Sequence, residues 1–190
     1  MALESYGRNL DKDNSVPPPP RIERENLGMM AEDVIIDFFN EKFPGQISVR
    51  SATATEDSGL EHAAESKQID AVAYDNSGAP IMCMQITTAK DSVVRMKKMQ
   101  QLINKPFVRL DEMKSSDKAI PKVLVYVDAS EVDSFLNDHD FLKHPKISEQ
   151  VLESAIQCLK FVSTKTKVKD EQQRIKDLMD ILDTKKGRAQ

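Results

Sequence analysis

Residues 68–88 read QIDAVAYDNSGAPIMCMQITT, and this stretch decides the predicted fold. Two segments rich in strand-forming residues, QIDAVAY and IMCMQITT, flank DNSGAP, which is typical of a turn. If the turn is centred between Ser77 and Gly78, the cross-strand partners are Asp70 with Gln85, Val72 with Cys83 and Tyr74 with Ile81. Because side chains alternate between faces, both faces of this hairpin are mainly apolar, which predicts a sheet covered on both sides.

Segments with regular apolar spacing lie on both sides of the hairpin. A helix is predicted to begin near Arg24 and to end before Pro44, because apolar residues recur there at three- and four-residue intervals. The remaining elements are a strand at 46–52, a helix near 93–103, a strand at 121–128 and helices at 147–159 and 168–182. This order predicts an α/β protein, a three-layer sandwich in which a mixed sheet has helices on both faces.

The length of 190 residues favours a single domain. Residues 1–22 are polar and rich in proline, so we expect a disordered tail followed by an α/β domain at 23–165. Residues 166–190 are predicted to form a C-terminal helix and a basic tail. The apolar stripe of that helix fits two arrangements, packing on the domain or pairing with a second copy as a homodimer.

Composition narrows the class of protein. The formal charge of −4 excludes nucleic-acid binding by bulk positive charge, so any such contact must come from a local patch. No apolar run approaches the length of a membrane span, and the N-terminus does not resemble a secretion signal. Cys83 and Cys158 stand apart in apolar surroundings, which favours buried free thiols and a cytoplasmic location.

The polar residues of the hairpin suggest a metal site. Asp70 and Gln85 are predicted partners at one end of an otherwise apolar face, so their oxygens lie close enough to bind one small cation. Glu32 lies at the edge of the apolar arc of the first helix, where it can lean over the end of the sheet toward Asp70. Two carboxylates and an amide oxygen suit Mg²⁺ or Mn²⁺.

These residues carry a resemblance to a known family. The helix NLGMMAEDVIIDFF with Glu32, the strand IDAVAYD with Asp70 and the strand MCMQIT with Gln85 resemble the PD-(D/E)XK, or restriction-endonuclease-like, nuclease superfamily over residues 24–128. The resemblance implies that Glu32, Asp70 and Gln85 hold one or two metal ions. It also implies a lysine that activates the attacking water, but Thr87 occupies the position of that lysine.

The missing lysine leaves alternatives open. Lys90 follows Thr87 by three residues and is the candidate substitute, as in relatives whose lysine is displaced. The loop before the hairpin offers further candidates for a base or ligand, namely Glu56, Asp57, Glu61 and His62. Because threonine cannot stabilise a developing hydroxide as a cation does, the sequence does not decide whether the site is active.

Two functional hypotheses assume this fold and site, and a third is a small structural or assembly module whose terminal helix mediates association. The first is a Mg²⁺- or Mn²⁺-dependent endonuclease or exonuclease acting on DNA or RNA, with Glu32, Asp70, Gln85 and Lys90 in the catalytic site. The second is a catalytically inactive member of the same fold that binds nucleic acid or a protein. In either case Arg95, Lys97 and Lys98 form the local basic patch expected to contact phosphates, unless they simply make up a solvated helix face.

Overall fold

The computed structural model describes residues 21–52, 69–109 and 119–186. These ranges contain five strands and five helices. They are α1 (Arg21–Lys42), β1 (Ser48–Ser51), β2 (Ala71–Tyr74), β3 (Pro80–Thr87), α2 (Ser92–Asn104), β4 (Phe107–Arg109), β5 (Ala119–Tyr126), α3 (Ala129–Asp138), α4 (Pro145–Ser163) and α5 (Lys169–Lys186). The two elements absent from the prediction are β4 and α3.

The five strands form one open mixed sheet in the order β1-β2-β3-β5-β4. Strands β3 and β5 are parallel, and the other three neighbouring pairs are antiparallel. The parallel pair requires a crossover connection, which contains α2 and β4. The prediction of an α/β fold with a mixed sheet is thus confirmed, while the three-layer restriction-endonuclease-like arrangement stays a prediction.

The hairpin of β2 and β3 has the predicted register over most of its length. Val72 pairs with Cys83, as expected from the alternation. The prediction for Tyr74 was wrong, because this residue pairs with Pro80 after a register shift next to Ala73. The reason lies in the turn, where the N–H of Asp75 donates to the Ala79 carbonyl at 2.9 Å and so centres the turn on residue 77.

The main core joins α1 to one side of the sheet and to α3 and α4. Helix α1 begins at Arg21 and so includes the last two residues of the predicted tail, while residues 1–20 lie outside the described part of the chain. From α1, Val34, Ile35, Phe38 and Phe39 are buried in this core. A smaller buried cluster is distinct from the main core and comprises Ala52, Ile69, Val72, Cys83, Val108 and Ile120. Burial of apolar side chains on both sets of strand positions agrees with a sheet covered on both sides.

Helix α4 covers the edge of β5 beyond its short pairing with β4. Three side chains of α4 accept hydrogen bonds from backbone N–H groups in β5 and just after it: Cys158 from Leu124 at 3.3 Å, Ser154 from Tyr126 at 2.9 Å and Gln150 from Asp128 at 2.8 Å. The spacings match, because four helical residues rise about 6.0 Å and two strand residues about 6.7 Å. A helix therefore satisfies donors that a further strand would otherwise take.

The last helix, α5, packs on the domain. Ile175, Leu178 and Leu182, which form its predicted apolar stripe, are buried in the main core. This stripe is therefore covered by the chain itself, and the segment predicted as separate contributes to the domain's core through these three residues, while residues 187–190 of the predicted basic tail lie outside the described part of the chain. None of the helices in the described ranges combines the length and the apolar character that crossing a bilayer requires.

Candidate metal centre

Asp70 lies immediately before β2, at the end of the sheet. Its N–H donates to the Met84 carbonyl at 2.8 Å, and its Oδ2 accepts the N–H of Ile86 at 2.6 Å. The carboxylate thus replaces a strand partner for Ile86 just beyond the β2–β3 ladder. Burial raises the pKa of Asp70, although the Ile86 hydrogen bond and the Lys98 charge oppose that rise. Asp70 is therefore a half-buried carboxylate whose charge is incompletely compensated.

Glu32 on α1 is the second carboxylate at this end of the sheet. Its Oε1 accepts a hydrogen bond of 2.6 Å from the Ser51 hydroxyl at the end of β1. Burial is the largest cause of the raised pKa of Glu32, and the negative charges of Asp70 and Asp33 add to it, while the Ser51 bond opposes it. The charge of Asp70 acts on Glu32, as expected of two carboxylates that share one site.

Gln85 lies near the C-terminal end of β3, next to Asp70 in the continued register of the hairpin. Ala71 pairs with Met84, so one further step along each strand places Asp70 opposite Gln85. On its other side Gln85 pairs with Leu124 of β5. Asp70 just before β2, Gln85 of β3 and Leu124 of β5 therefore lie in one row, and Gln85 is half-buried next to Asp70.

Thr87, which the resemblance predicted to replace a motif lysine, has a structural role at the end of β3. It is buried, its hydroxyl accepts the N–H of Ala89 at 3.3 Å, and its carbonyl accepts the N–H of Val127 at 3.2 Å. These contacts end the strand and fix the start of the connection to α2. A buried neutral hydroxyl in this position supplies no positive charge to the site.

Lys90, the predicted substitute for the missing lysine, lies next to a different carboxylate. Its Nζ is 3.4 Å from Oδ2 of Asp128, and its side chain is 68% exposed. Asp128 also begins α3, because its Oδ1 accepts the N–H of Ser130 at 2.8 Å. The structure therefore places the side chain of Lys90, which follows β3, beside the N-terminus of α3, in an ion pair with Asp128.

The positive charge that acts on Asp70 is that of Lys98, which the sequence predicted only as a phosphate contact. Lys98 is half-buried on α2, and its positive charge lowers the pKa of Asp70 against the effect of burial. The sequence gives Lys98 as one of two adjacent lysines on an amphipathic helix. Only the path of α2 relative to β2 selects it, and no local pattern encodes that path.

The other two cations of the predicted basic patch lie in different surroundings. Lys97 is exposed to solvent. Arg95 is half-buried, and its guanidinium lies over the ring of Tyr126, 4.4 Å from the centroid. The predicted patch therefore divides into one residue at the carboxylates, one in solvent and one stacked on an aromatic ring.

The donor set fits a hydrated hard cation better than a fully protein-bound one. Within the described ranges no three His, Cys, Asp or Glu side chains converge on one point, and the predicted candidates in the loop at 53–67 lie outside those ranges. Mg²⁺ is commonly held by one or two carboxylates while it keeps several waters. Asp70 and Glu32 supply two carboxylates at this end of the sheet, and Gln85 lies next to Asp70.

Comparisons of the chain with protein-family models, with curated proteins and with solved structures found no match. The function must therefore be argued from the geometry of this site.

Proposed function

We propose that the chain is a nuclease-like protein that hydrolyses phosphodiesters of DNA or RNA with the help of Mg²⁺ or Mn²⁺. The observation that carries the proposal is electrostatic. Two partly buried carboxylates at one end of the sheet, Asp70 and Glu32, have raised pKa values, and the positive charge of Lys98 acts on Asp70. Carboxylates with raised pKa values beside a lysine are typical of sites that bind a cation and move protons.

The roles follow from the contacts of each side chain. Asp70 and Glu32 hold the divalent cation, with Gln85 beside them as a neutral oxygen donor. Such a cation lowers the pKa of a bound water and neutralises charge on the phosphodiester. Ser51 fixes one oxygen of Glu32 and the Ile86 N–H fixes one oxygen of Asp70, so each carboxylate keeps its second oxygen for the cation. Lys98 takes the part of the absent motif lysine, and orients the attacking water or the phosphate by hydrogen bonding.

A second candidate function is favoured by Thr87. Because this residue is buried and uncharged and its hydroxyl accepts the N–H of Ala89, the position of the motif lysine is lost. If Lys98 does not replace that lysine, the protein keeps the fold and binds nucleic acid or a protein without cleavage. This alternative predicts binding that does not depend on catalysis.

Incubation with single- and double-stranded DNA and RNA in Mn²⁺ tests the two candidates. We expect cleavage by the wild type and none by Asp70→Asn, which keeps the shape and an acceptor for Ile86 N–H but loses the charge. Asp133→Asn, an exposed aspartate on α3, is the matched control and should cleave normally. Equal cleavage by wild type and Asp70→Asn would reject the site, and binding without cleavage would support the inactive alternative.

Metal binding is measured separately from catalysis by thermal unfolding with Mg²⁺, Mn²⁺ or Ca²⁺. A cation that binds the folded state raises the midpoint as its concentration increases. We expect that rise in the wild type and in Asp133→Asn, and its loss in Asp70→Asn and Glu32→Gln. Glu41→Gln, an exposed glutamate on the same helix as Glu32, controls for loss of charge on α1. A rise of equal size in all five proteins would contradict the metal centre.

A further inference from the structure

A second feature with the properties of a binding site lies beside the metal centre. A cleft of about 490 Å³ runs between α2 and α4 at the end of β5. Leu124 and Met99 form its apolar part, and the stacked pair of Arg95 and Tyr126 lines one side of it. Pockets of this size that combine an apolar floor with a few fixed polar groups are typical of sites for small organic groups.

The polar side of the cleft comes from α4 and is held in place by β5. Gln150 accepts the N–H of Asp128 through its amide oxygen, and Ser154 accepts the N–H of Tyr126. Glu153 and Gln157 complete this side. Because the strand fixes Gln150 and Ser154, the helix presents its carboxylate and amide groups to the cleft at a set distance from the apolar floor.

The charge of the cleft argues against a phosphate as its occupant. The charged side chains among the described lining are Arg95 and Glu153, one of each sign, and the Arg95 guanidinium already lies over Tyr126. A planar guanidinium on an aromatic ring offers a flat surface for stacking a further ring. Carboxylate and glutamine side chains are the groups that hydrogen-bond to the amino-bearing edges of bases.

The position of the cleft connects it to the metal centre. Asp70, Gln85 and Leu124 lie in one row across β2, β3 and β5, so the cleft floor is two strand spacings, about 10 Å, from Asp70. Helix α2 spans the same interval, since Lys98 acts on Asp70 while Arg95, one turn earlier, lines the cleft. A single nucleotide placed with its phosphate at Lys98 can extend its base into the cleft.

We propose that the cleft between α2 and α4 is a nucleobase-binding site, which stacks one unpaired base against the Arg95–Tyr126 pair beside the phosphate held at the metal centre. This inference rests on the proposed function for the position of that phosphate. It adds a preference for single-stranded or frayed nucleic acid, because a base must leave the duplex stack to enter the cleft.

The test uses labelled single-stranded DNA hexamers, with and without bases, and measures binding by fluorescence anisotropy in Ca²⁺. The wild type should bind a base-bearing hexamer about tenfold more tightly than an abasic one, as one stacked base contributes. Arg95→Lys keeps the charge but loses the planar surface, so it should remove most of that difference and leave abasic binding within about twofold. Arg174→Lys, an exposed arginine on α5, is the matched control.

Readout of the base edge is tested by Glu153→Gln. A carboxylate accepts hydrogen bonds from the amino group of cytosine, which thymine lacks. The wild type should therefore prefer oligo-dC to oligo-dT, and Glu153→Gln should reduce that preference about fivefold. Glu149→Gln, an exposed glutamate one turn earlier on α4, should leave it unchanged. An unaltered preference in Glu153→Gln would overturn readout by α4.

The outcomes separate this inference from the nuclease proposal. Equal binding of base-bearing and abasic hexamers, or equal loss of both in Arg95→Lys, would overturn the base site even if Mn²⁺-dependent cleavage persists. Binding that depends on the base and on Arg95 would support the site even if no cleavage is observed in Mn²⁺. Absence of binding by every hexamer would overturn the base site as well.

Discussion

Asp70 lies just before β2 and Asp128 just after β5, and the two carboxylates have similar partners. Their pKa values are nevertheless shifted in opposite directions. Each accepts a backbone N–H and each lies near a lysine, Lys98 or Lys90. Burial raises the pKa of Asp70 above its usual value. Burial also opposes ionisation of Asp128, but two hydrogen bonds from Ser130 and the ion pair with Lys90 outweigh it and lower the pKa.

The difference shows how a structural carboxylate is told from a candidate ligand. Asp128 begins α3, where the N–H and hydroxyl of Ser130 both donate to Oδ1, at 2.8 and 2.7 Å, and Lys90 approaches Oδ2. Its charge is compensated within the fold. Asp70 instead has one backbone donor and the charge of Lys98, and its own negative charge raises the pKa of Glu32, so a bound cation would stabilise both carboxylates.

The largest contrast is expected between the two lysines in the cleavage reaction. If Lys98 orients the water or phosphate, Lys98→Met should lower the rate by about 100-fold or more, as loss of a general acid–base group does. Lys90→Met should leave the rate within about twofold, because a surface ion pair contributes little. Single-turnover rates in Mn²⁺ measure both. A larger loss of cleavage rate in Lys90→Met than in Lys98→Met would mean that Lys90, the lysine predicted from the sequence, has the catalytic role.

The second contrast concerns stability. Asp128→Ala removes the side chain that caps α3 and should lower the free energy of unfolding by about 1 kcal/mol. Asp133→Ala, on the exposed side of the same helix, should change it by less than about 0.5 kcal/mol. Urea unfolding at pH 7 without divalent metal measures both. Equal effects of the two substitutions would mean that Asp128 does not act as a cap.

The third contrast is the pH dependence of stability, measured by urea unfolding in a chelator. Asp70 has a folded pKa above its usual 3.8, so the unfolded chain loses the proton first as the pH rises. The contribution of Asp70 protonation to the free energy of unfolding is fully present below pH 3.8. It is lost as the pH rises through the folded pKa. Asp70→Asn, which does not ionise, should therefore gain stability relative to the wild type between pH 3 and pH 7.

Asp128 should show the opposite slope. Its folded pKa lies below 3.8, so its contribution is present above that value and is lost as the pH falls through the folded pKa. Asp128→Asn should therefore be least stable relative to the wild type near neutral pH, and the two should converge in acid. Curves of the same sign for Asp70→Asn and Asp128→Asn would contradict the comparison.

The sequence predicted the parts of the fold that a local pattern specifies. Alternation in 68–88 predicted the pairing of Val72 with Cys83, and helical spacing predicted α1 and α4. The error at Tyr74 came from the turn, where a hydrogen bond between Asp75 and Ala79 moves the centre by half a residue. Strand β4 was missed because three residues carry too little periodicity to detect.

Helix α3 had a usable signal that the prediction overlooked. Asp128 is a favoured N-cap residue, Glu131 follows in the first turn, and Val132 and Phe135 repeat at helical spacing. Reading residues 121–128 as a strand assigned this aspartate to the strand instead. The same oversight hid the partner of Lys90, because a cap at Asp128 places a carboxylate within reach of a lysine at the end of the neighbouring strand.

The candidate site was predictable where a residue's own element determines its direction. Pairing in the hairpin brought Asp70 next to Gln85, and the position of Glu32 on α1 directed it toward the end of the sheet. Lys98 was not predictable in this role, because its proximity to Asp70 depends on how α2 crosses the sheet after an intervening connection. The choice between Lys90 and Lys98 is therefore tertiary information.

The smallest effect on stability is expected for the Lys90–Asp128 ion pair, which distinguishes Asp128 from Asp70. Lys90→Met should change the free energy of unfolding by less than about 1 kcal/mol, since the lysine is largely exposed and water screens its charge. That change should shrink further in 1 M NaCl, where the screening length is about 3 Å. Lys160→Met, an exposed lysine on α4, is the control for loss of a surface charge. A salt-independent loss of unfolding free energy well above 1 kcal/mol in Lys90→Met would mean that the ion pair, more than the hydrogen bonds from Ser130, compensates the charge of Asp128. The contrast between Asp128 and Asp70 would then depend on their lysines alone.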